Sequence, residues 1–530
     1  MFMELQRFIF EDNPTRRALA NYNSQCAKQF HIQVFRNHSF ELVEHTIGAY
    51  LDYAGIGVNF SYSGYDDSFS FAELKQSADL ILIWIDMTRY CSETALEFLS
   101  QRIEQLRTYT SANILVIPFG MEAAFQVGNV VVFNLTDIEK ELGPQFIDSR
   151  AKALSGTSLS SKAMLRISRL LGLKYLPALL QPPLKAIVVD LDNTLYSGVL
   201  GEDGVNGIVL TDGHLGLQRA LKELARKGVF LCVASKNDED EVSCLFHDRQ
   251  DFILQKEDFT YICASWDEKA RSIEKISNFL NISSSSMLFI DDNIGELAAV
   301  HMAFPEIKLI CANKDGDETC KVLSEFPGLF RLNLSSEDTL RKLDVQANQM
   351  RQHMRQTMDQ YEYIKSLGIR LTFSHDKMAQ AARIAELANK TNQFIFNYKR
   401  YTLTDVENMM AAKEYLVVAI SMSDRLSDSG LIGVCVGRKR RGYAEVEECF
   451  ISCRALGRGI EHVIVLEAIR QISEQFGDQV HICYQQGERN QPAYQFVQRY
   501  LNKFLAQPSK FDCQVDKKIL NVCELNLETK

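Results

Sequence analysis

The chain has 530 residues, a length that predicts about three or four domains. Hydrophobic residues make up 46% and charged residues 24% of the chain, which is the composition of an ordinary globular protein. The net charge of −10 gives no general attraction for nucleic acid or for anionic membranes, so neither is expected as a partner.

The thirteen cysteines are scattered along the chain without C-x-x-C pairs. This pattern predicts reduced thiols rather than a disulfide or zinc framework. The first residues lack the basic and long apolar segments of a signal peptide, and the longest apolar run, Leu80–Ile85, is far too short to cross a bilayer. We therefore expect a cytoplasmic protein that does not enter membranes.

Residues 1–180 are predicted to form a first α/β domain. Short apolar segments alternate with helical stretches between residues 30 and 135, which indicates a parallel sheet. The predicted strands are Leu80–Ile85, Ile114–Pro118 and Val130–Phe133. Three prolines predict that the following segment, Leu176–Leu184, is a linker that cannot continue a helix.

A second α/β domain is predicted over residues 181–335, with helices such as Leu217–Lys227 between its strands. These strands are Lys185–Val189, Val229–Ala234 and Met287–Ile290. A long linking helix is then predicted over residues 336–366, with an apolar stripe that we expect to pack between domains. The stripe consists of Leu343, Ala347, Met350, Met354, Tyr361 and Ile364.

The third domain, residues 367–530, is predicted to be of the α+β type. Its segments Tyr415–Ile420, Leu431–Val436 and Ala444–Cys453 are typical of consecutive antiparallel strands. A helix over Arg458–Glu474 is predicted to follow, opened by a glycine-rich turn.

Acidic and polar side chains follow the predicted strands of the second domain. Asp190 and Asp192 come after the first strand, Ser235 after the second, and Asp291 and Asp292 after the third. Because ligand sites of open α/β sheets lie at the carboxyl ends of strands, we expect these side chains to share one crevice. Four carboxylates there would repel one another unless a hard cation lay among them, and Mg²⁺ with a substrate phosphate suits such a site.

This arrangement predicts phosphoryl-transfer chemistry. Asp190 is the expected nucleophile toward phosphorus, and Asp192 is expected to give a proton to the leaving group and later take one from water. The groups predicted to bind the phosphoryl oxygens are Thr194, Ser235 and Lys269. The predicted ligands of Mg²⁺ are Asp190, Asp192 and Asp291.

The third domain carries an R-x-x-G-x-G turn made by Arg454, Gly457 and Gly459. Between a strand and a helix, such a turn exposes backbone N–H groups that could hold a pyrophosphate or a phosphopantetheine arm. These three residues are therefore the predicted cofactor-binding positions.

Cys453 lies immediately before this turn. Arg454, Arg458 and a helix N-terminus would lower the pKa of its thiol, which makes it a candidate nucleophile. Strand cysteines are more often inert core residues, and that alternative stays open for Cys453. Cys449, on the same predicted strand, lacks these neighbours and is interpreted as structural.

The D-x-D-x-T sequence with the later Ser, Lys and Asp-Asp resembles the haloacid dehalogenase (HAD) phosphohydrolase superfamily at all four of its motifs, and the glycine turn resembles the GNAT fold. Several further motifs are together similar to FkbH-like proteins, which join a HAD domain of subfamily IIIC to a GNAT-like domain. They are DLDNTLYSGVLGEDG, SKND (Ser235–Asp238), KTNQF (Lys390–Phe394), DRLSDSGLIGV (Asp424–Val434) and SCRALGRGIE (Ser452–Glu461).

The short segments between Asp192 and Ser235 and between Ser235 and Lys269 leave no room for a separate cap domain. The resemblance implies a HAD domain of Rossmann-like fold, and Cys453 as the family's thiol nucleophile. It implies a phosphorylated three-carbon acyl donor, typically 1,3-bisphosphoglycerate, and transfer of a glyceryl unit to an acyl carrier protein, as in polyketide biosynthesis. Leu426-Ser427 and Tyr196-Ser197 replace the more usual Phe-Gly and Trp-Gly, so substrate choice can differ. The first domain resembles an SGNH hydrolase in layout but has no Gly-Asp-Ser motif, so we expect a non-catalytic docking module.

Two alternatives compete with this prediction. In the first, the chain is a magnesium phosphatase whose GNAT-like half only binds a partner. In the second, it is a carrier-protein-binding scaffold without catalysis. Intact Asp190, Asp192, Ser235, Lys269 and Asp291 argue against the second alternative, whereas Cys453 alone separates the first alternative from the leading prediction.

Overall fold

The protein is described here by a computed structural model. It describes residues 2–10, 14–27, 29–65, 69–75, 77–90, 92–150, 152, 156–332, 347, 350–351, 354–355, 357–487, 490–513 and 517–528. These residues form three separate sheets in chain order. The prediction of a mixed α/β fold is thereby confirmed in its sheet content, with two parallel sheets followed by a mainly antiparallel one.

The first sheet has five parallel strands in the order β2-β1-β3-β4-β5. They are β1 (Phe30–Arg36), β2 (Val58–Tyr62), β3 (Leu80–Asp86), β4 (Asn113–Phe119) and β5 (Val130–Val132). Its helices are Phe2–Phe10, Arg16–Ala20, Glu41–Ala54, Ser92–Tyr109, Thr136–Leu142, Ser161–Leu170 and Leu176–Leu180. The central strand β3 is buried along its whole length, as its apolar run requires.

The prediction of a linker over Leu176–Leu184 is wrong for its first half. A π-helical turn, Leu171–Tyr175, continues directly into the helix Leu176–Leu180. Pro177 lies in the first turn of that helix, directly after the π turn. The wider π turn before it accommodates the proline ring, so the chain leaves the helix only at Gln181.

The second sheet also has five parallel strands, in the order β10-β9-β6-β7-β8. They are β6 (Ala186–Val189), β7 (Phe230–Ser235), β8 (Tyr261–Ala264), β9 (Met287–Asp291) and β10 (Lys308–Cys311). Its helices are Leu200–Gly207, Asp212–Arg226, Glu239–Asp248, Lys269–Leu280, Ile294–Ala303 and Asp317–Ser324. The short helix Leu200–Gly207 lies between β6 and the long helix Asp212–Arg226.

The third sheet has seven strands in the order β16-β15-β14-β13-β12-β11-β17. They are β11 (Arg370–His375), β12 (Tyr415–Ser423), β13 (Asp428–Arg440), β14 (Tyr443–Ile451), β15 (Gln479–Ile482), β16 (Ser509–Lys510) and β17 (Glu524–Glu528). Its helices are Gln360–Leu367, Ala381–Lys390, Leu403–Ala411, Glu461–Phe476, Gln491–Tyr500, Lys503–Ala506 and Lys517–Leu520. The antiparallel pairing of β12, β13 and β14 confirms the prediction, whereas β14 and β15 run parallel.

Most of the predicted helix over residues 336–366, including Leu343, lies outside the described residues. Within the described part, the helix Gln360–Leu367 buries Ile364 in the core of the third sheet. Ala347 is buried as predicted, but Met350 is 61% exposed and so does not belong to a packed stripe.

The three units are joined by polar contacts. Between the first and second, Arg166 and Arg169 both bind the buried Glu325 carboxylate, at 2.7 and 2.5 Å. Between the second and third, Asn281 Nδ2 donates to the backbone oxygens of Cys453 (2.7 Å) and Leu456 (3.3 Å). These contacts hold the glycine-rich turn against the second sheet.

None of the helices in the described residues is both long enough and apolar enough to cross a membrane.

Candidate active site

Three neighbouring strands of the second sheet end in polar residues at one edge. The parallel pairing of β6 with β7 and β9 aligns Val189 with Val233 and with Ile290. Asp190 follows β6, Ser235 ends β7 and Asp291 ends β9, so all three lie at the carboxyl edge, as the sequence predicts. This edge is where open α/β sheets bind ligands.

Lys269 connects two of the carboxylates. It begins the helix Lys269–Leu280, and its Nζ lies 2.7 Å from Asp190 Oδ1 and 2.7 Å from Asp291 Oδ2. The three residues are 4%, 6% and 0% exposed, so the ion pairs are shielded from water. The structure thus places Lys269 beside Asp190 and Asp291, and its predicted role in binding phosphoryl oxygens stays a prediction.

Burial dominates the electrostatics of this cluster. It raises the pKa of Asp190 to about 6, because the Lys269 charge only partly offsets the loss of water and the nearby Asp291 carboxylate adds repulsion. Burial likewise raises the pKa values of Asp291 and Asp292. For Lys269 burial favours the neutral amine, but the carboxylates of Asp190 and Asp291 outweigh it and raise the pKa.

The residues present fit a divalent cation. Carboxylate oxygens of Asp190, Asp291 and Asp292 lie within 4.8 Å of one another. The Lys269 ammonium pairs with Asp190 and Asp291, and its one positive charge is less than the negative charge of the three carboxylates when all are ionised. An all-oxygen donor set of this kind suits Mg²⁺, which binds through a few carboxylates and keeps waters or substrate oxygens as further ligands.

Asp192 differs from its prediction as a metal ligand. Its Oδ1 accepts hydrogen bonds from Tyr196 OH (2.6 Å) and the Leu200 N–H (3.0 Å), and its Oδ2 accepts one from Asn237 (2.9 Å). The side chain is therefore held apart from the three-carboxylate cluster, in which Asp292 stands instead. Three donors thus fix the orientation of the Asp192 carboxylate outside the three-carboxylate cluster.

Asn237 is a site residue that sequence reasoning missed. Its Nδ2 donates to both Asp192 Oδ2 and Ser235 Oγ, each at 2.9 Å, and so links the proton-transfer candidate to the phosphate-binding candidate. Its position in the motif Ser235–Asp238, directly after β7, was the feature of the sequence that could have identified it as a site residue.

Thr194, a predicted phosphate-binding residue, is fully buried, and its hydroxyl has no hydrogen-bond partner among the described residues.

Cys453 lines a cavity of about 310 Å³ between the second and third sheets. It lies two residues after the end of β14, which stops at Ile451 rather than at Cys453 as predicted. Its side chain is partly buried against the apolar core of the second sheet. The charged residues that line this cavity are Lys185, Glu306, Arg383, Lys390 and Arg454.

The predicted surroundings of the thiol are only partly present. Arg458 turns away from it, because its guanidinium binds the Asp424 carboxylate (2.8 Å) and Ser429 Oγ (2.8 Å) in the core. Arg454 does line the cavity, with Nη2 donating to the Leu431 backbone oxygen. The following helix begins at Glu461 and not at Arg458, so its N-terminus is farther along the chain than predicted. Cys449 is buried, in agreement with a structural role.

The glycine turn adopts the backbone conformation that its sequence suggests. Gly457 and Gly459 both have φ of +80°, a region that favours glycine. The Gly457 N–H donates to Glu461 Oε1 at 2.6 Å, so this carboxylate occupies the predicted anion cradle. Both glycines line a second cavity, of about 770 Å³, which also contains Gln393, a residue shared with the cavity at Cys453.

The carboxylate cluster and the thiol lie at opposite edges of the second sheet. Lys185, which precedes β6, lines the cavity that contains Cys453, whereas Asp190 follows the same strand. This separation corresponds to about 16 Å along β6 at ~3.3 Å per residue. The structure therefore separates the carboxylate cluster from the cavity that contains Cys453.

The carboxyl edge of the first sheet is filled by residues that bind one another. Asp86 accepts hydrogen bonds from the Thr88 N–H and hydroxyl, and His38 Nδ1 contacts Thr157 Oγ1 at 3.0 Å. His38 stacks on Trp84, and burial lowers its pKa to about 3, so the ring is neutral. The non-catalytic role expected for residues 1–180 stays a prediction.

No protein-family model matches the chain, and no curated protein matches it. Among solved structures, the chain is similar to the N-terminal part of a Bacteroides fragilis protein, which contains a phosphatase domain and is described as complexed with Mg. The two share 19% identity with a TM-score of 0.46, and the match covers 63% of this chain and 99% of that one. A HAD-superfamily hydrolase from Ehrlichia chaffeensis matches at 13% identity and TM-score 0.20, over 27% of this chain and 99% of that one.

A third similar structure is a fungal multi-domain β-N-acetylglucosaminidase with a GCN5-related glucosamine N-acetyltransferase region, at 7% identity and TM-score 0.19, covering 94% of this chain and 67% of that one. The descriptions of these three structures name a phosphatase domain complexed with Mg, a HAD-superfamily hydrolase and a GCN5-related N-acetyltransferase region. None of the three names an FkbH-like protein, an acyl carrier protein or an SGNH hydrolase. At such low identities and TM-scores, these likenesses leave the family of the chain open.

Proposed function

We propose that the chain is a Mg²⁺-dependent phosphatase of the HAD type. The observation that carries this proposal is the convergence of Asp190, Asp291 and Asp292 at the carboxyl edge of a parallel sheet, where the buried Lys269 ammonium pairs with the first two. Burial of so much negative charge is unfavourable in a purely structural role. It is useful where a cation and a phosphoryl group bind together.

Asp190, Asp291 and Asp292 would hold the metal. The chemistry supplied by bound Mg²⁺ is neutralisation of the charge on the transferring phosphoryl group. Lys269 contributes a fixed positive charge beside the nucleophile and is available to the phosphoryl oxygens. Ser235 adds a hydroxyl at the same edge.

The proposed reaction has two steps. An Asp190 oxygen attacks phosphorus, the bond from phosphorus to the leaving oxygen breaks, and Asp192 gives that oxygen a proton. Asp192 then takes a proton from water, which attacks the same phosphorus and releases inorganic phosphate from Asp190. The donors Tyr196 and Asn237 keep the Asp192 carboxylate in one orientation throughout.

A matched pair of variants tests the phosphatase. Asp190→Asn removes the nucleophile and should abolish release of phosphate from p-nitrophenyl phosphate and 3-phosphoglycerate, with an unchanged circular dichroism spectrum. Asp267→Asn changes a half-exposed carboxylate that pairs with Lys275 outside the cluster and should keep wild-type turnover. Excess chelator should also stop the wild-type enzyme. Turnover that survives Asp190→Asn or the chelator would overturn the HAD assignment.

We further propose acyl transfer through Cys453, as in the FkbH-like proteins that the sequence resembles. The supporting observation is that Cys453 faces a cavity of about 310 Å³ whose lining includes the basic residues Lys185, Arg383, Lys390 and Arg454. Glu386 pairs with both Arg383 and Lys390, which orders them at the cavity wall. Such a cavity suits an anionic acyl donor, and 1,3-bisphosphoglycerate is the proposed one.

In this second activity the Cys453 thiolate attacks the carbonyl carbon of the acyl phosphate. The bond from that carbon to the phosphate oxygen breaks, which releases inorganic phosphate and leaves a thioester. The thiol of a carrier protein's phosphopantetheine arm then attacks the thioester, its proton passes to solvent, and Cys453 is regenerated. The HAD site hydrolyses the phosphoester that remains on the acyl group.

Intact mass spectrometry separates this activity from a plain phosphatase. With 1,3-bisphosphoglycerate, wild-type protein should gain one acyl adduct that hydroxylamine removes, and Cys453→Ser should gain none while it still releases phosphate from simple phosphoesters. Cys244→Ser alters an exposed thiol away from the cavity and should still form the adduct. An adduct on Cys453→Ser, or carrier loading at the wild-type rate by that variant, would overturn the thioester mechanism.

The remaining expectations belong to the same proposal. The partners are an acyl carrier protein and a phosphorylated acyl donor, and residues 1–180 act as a docking module. The domain limits are those predicted from the sequence, at about residues 180, 335 and 366. Among the described residues all twelve cysteines are free thiols, which suits the reducing cytoplasm that we propose as the location.

A further inference from the structure

A group of three metal-binding residue types lies in the third sheet, remote from both proposed active sites. Glu445 on β14 is directly opposite His481 on β15, and Cys483 follows β15 by one residue. An oxygen, a nitrogen and a sulfur from these side chains all lie within 4.8 Å of one another. Cys453 follows the other end of β14, so the group is independent of the proposed phosphatase and acyl transfer.

The hydrogen bonds of His481 fix which nitrogen faces this group. Its Nε2 lies 3.3 Å from the Leu505 backbone oxygen, which can only accept, so Nε2 carries the proton. In the neutral ring, Nδ1 is then a lone-pair donor, and it is buried without a hydrogen-bond partner among the described residues. A second-nitrogen hydrogen bond to a backbone carbonyl is the usual support of a metal-binding histidine.

Glu445 is also arranged for a further partner. Arg440 donates twice to Oε2, at 2.9 and 2.7 Å, whereas Oε1 lies 4.0 Å from His481 Nδ1. Two hydrogen-bond acceptors, Glu445 Oε1 and the unprotonated His481 Nδ1, thus face each other at a distance too long for a hydrogen bond. A cation between them would convert this unfavourable contact into two favourable ones.

The charges around the group tolerate one additional divalent ion. Arg440 pairs with Glu445, and Lys399 pairs with Glu447, two residues farther along β14. These pairs are neutral overall, and a Cys483 thiolate would cancel one of the two charges of the ion. The mixture of nitrogen, sulfur and oxygen donors is typical of Zn²⁺ and unsuited to Mg²⁺.

We propose that Glu445, His481 and Cys483 bind one Zn²⁺, with a water molecule as the fourth ligand. Ligand atoms around tetrahedral zinc are about 3.5 Å apart, given bond lengths of roughly 2.0–2.3 Å. The three side chains therefore need to close by about 1 Å, which side-chain rotation provides. Zinc here would clamp β14 to β15, whose parallel ladder spans only three residue pairs.

Cobalt binding by the full-length protein tests this site without reference to either activity. Protein stripped with chelator and desalted is titrated with Co²⁺, whose bond to a thiolate gives a near-ultraviolet charge-transfer absorption. We expect this absorption to saturate at one equivalent, to be displaced by Zn²⁺ and to be lost in Cys483→Ser. His481→Ala should weaken Co²⁺ binding by at least about tenfold. Cys513→Ser, which alters a partly buried thiol outside the group, should keep the wild-type titration.

A second measurement needs no variant. Zn²⁺ should slow the alkylation of Cys483 by iodoacetamide, followed by peptide mass spectrometry, and should leave the alkylation of Cys513 unchanged. It should also raise the melting temperature of the stripped wild-type protein. Absence of the thiolate absorption, its persistence in Cys483→Ser, or equal alkylation of Cys483 with and without Zn²⁺ would overturn the proposal, whether or not the phosphatase is active.

Discussion

Removal of the Asn237 amide tests whether Asp192 is held in place for proton transfer. Asn237 is 1% exposed and donates to Asp192 Oδ2 and to Ser235 Oγ, each at 2.9 Å. In Asn237→Ala, Asp192 keeps the two donors on Oδ1, Tyr196 OH and the Leu200 N–H. Oδ2, the Asp192 oxygen on the side of Ser235, loses the hydrogen bond from Asn237, so the carboxylate can rotate away from the leaving group.

The size of the effect follows from this single lost donor. A hydrogen bond to a charged group contributes about 1.5–3 kcal/mol. If the loss of this hydrogen bond raises the activation free energy by that amount, kcat falls by roughly 10- to 150-fold, since each 1.36 kcal/mol corresponds to a factor of ten. The Michaelis constant should change far less, because Lys269 keeps its contacts with Asp190 and Asp291.

Steady-state hydrolysis of 3-phosphoglycerate in Mg²⁺ gives kcat and KM separately. Circular dichroism and a thermal melt establish that Asn237→Ala is folded. The matched control is Lys236→Met, which removes an ammonium that pairs with Glu296 rather than with the acidic cluster, and it should keep a kcat near that of wild type. An unchanged kcat in folded Asn237→Ala would refute the positioning role, and a rise in KM alone would assign Asn237 to substrate binding.

Three further predictions address stability and the separation of the two activities. Burial opposes ionisation of Glu325, but the Arg169 and Arg166 guanidinium groups hold its pKa below the ordinary value of 4.5. The ionised Glu325 therefore stabilises the fold fully above pH 4.5, and this stability is lost as the pH falls through the lower pKa of the folded state. Glu325→Gln should therefore cost about 3 kcal/mol in a urea melt at pH 7 and less at pH 3, and an equal loss at both values would contradict the ion-pair account. Asp190→Asn should still form the hydroxylamine-sensitive adduct on Cys453, because the two sites are separate, and loss of both activities in the folded variant would argue for one shared site. Chelation of Mg²⁺ should stop phosphate release from 3-phosphoglycerate but leave adduct formation unchanged, as measured by intact mass.

The acidic cluster could be predicted from the sequence because its placement follows from chain geometry. The carboxyl ends of parallel strands lie at one edge of the sheet, so residues that directly follow buried apolar strands meet at that edge regardless of the conformation of the connecting segments. Asp190 and Asp291 meet in this way, and Lys269 reaches them from the start of the next helix. The choice between Asp192 and Asp292 as the third acidic partner depends on side-chain direction, which the strand pattern does not determine.

Strands β1, β8 and β10 and the helix through Pro177 were not predicted, because their sequences lack a clear pattern of buried strands or helices. Strand β1 carries the polar residue Gln33, yet this side chain is fully buried because it bonds to the backbone of Glu73 and Lys75. Strands β8 and β10 have four residues each, too few to show a clear periodicity. The helix through Pro177 depends on a π turn before it, which has no signature in the sequence.

The relation between the two sites could not be predicted at all, because it depends on how the units pack. Asn281 ends the helix Lys269–Leu280 at the amino edge of the second sheet and there holds the backbone of Cys453. Lys269, at the other end of the same helix, belongs to the carboxylate cluster. A group bound covalently to Cys453 therefore cannot reach Asp190 without movement of the units. If the proposed acyl transfer takes place, a phosphopantetheine arm can carry the acyl group from one edge of the sheet to the other. The proposal therefore predicts that the phosphoester is removed after transfer to the carrier rather than on Cys453.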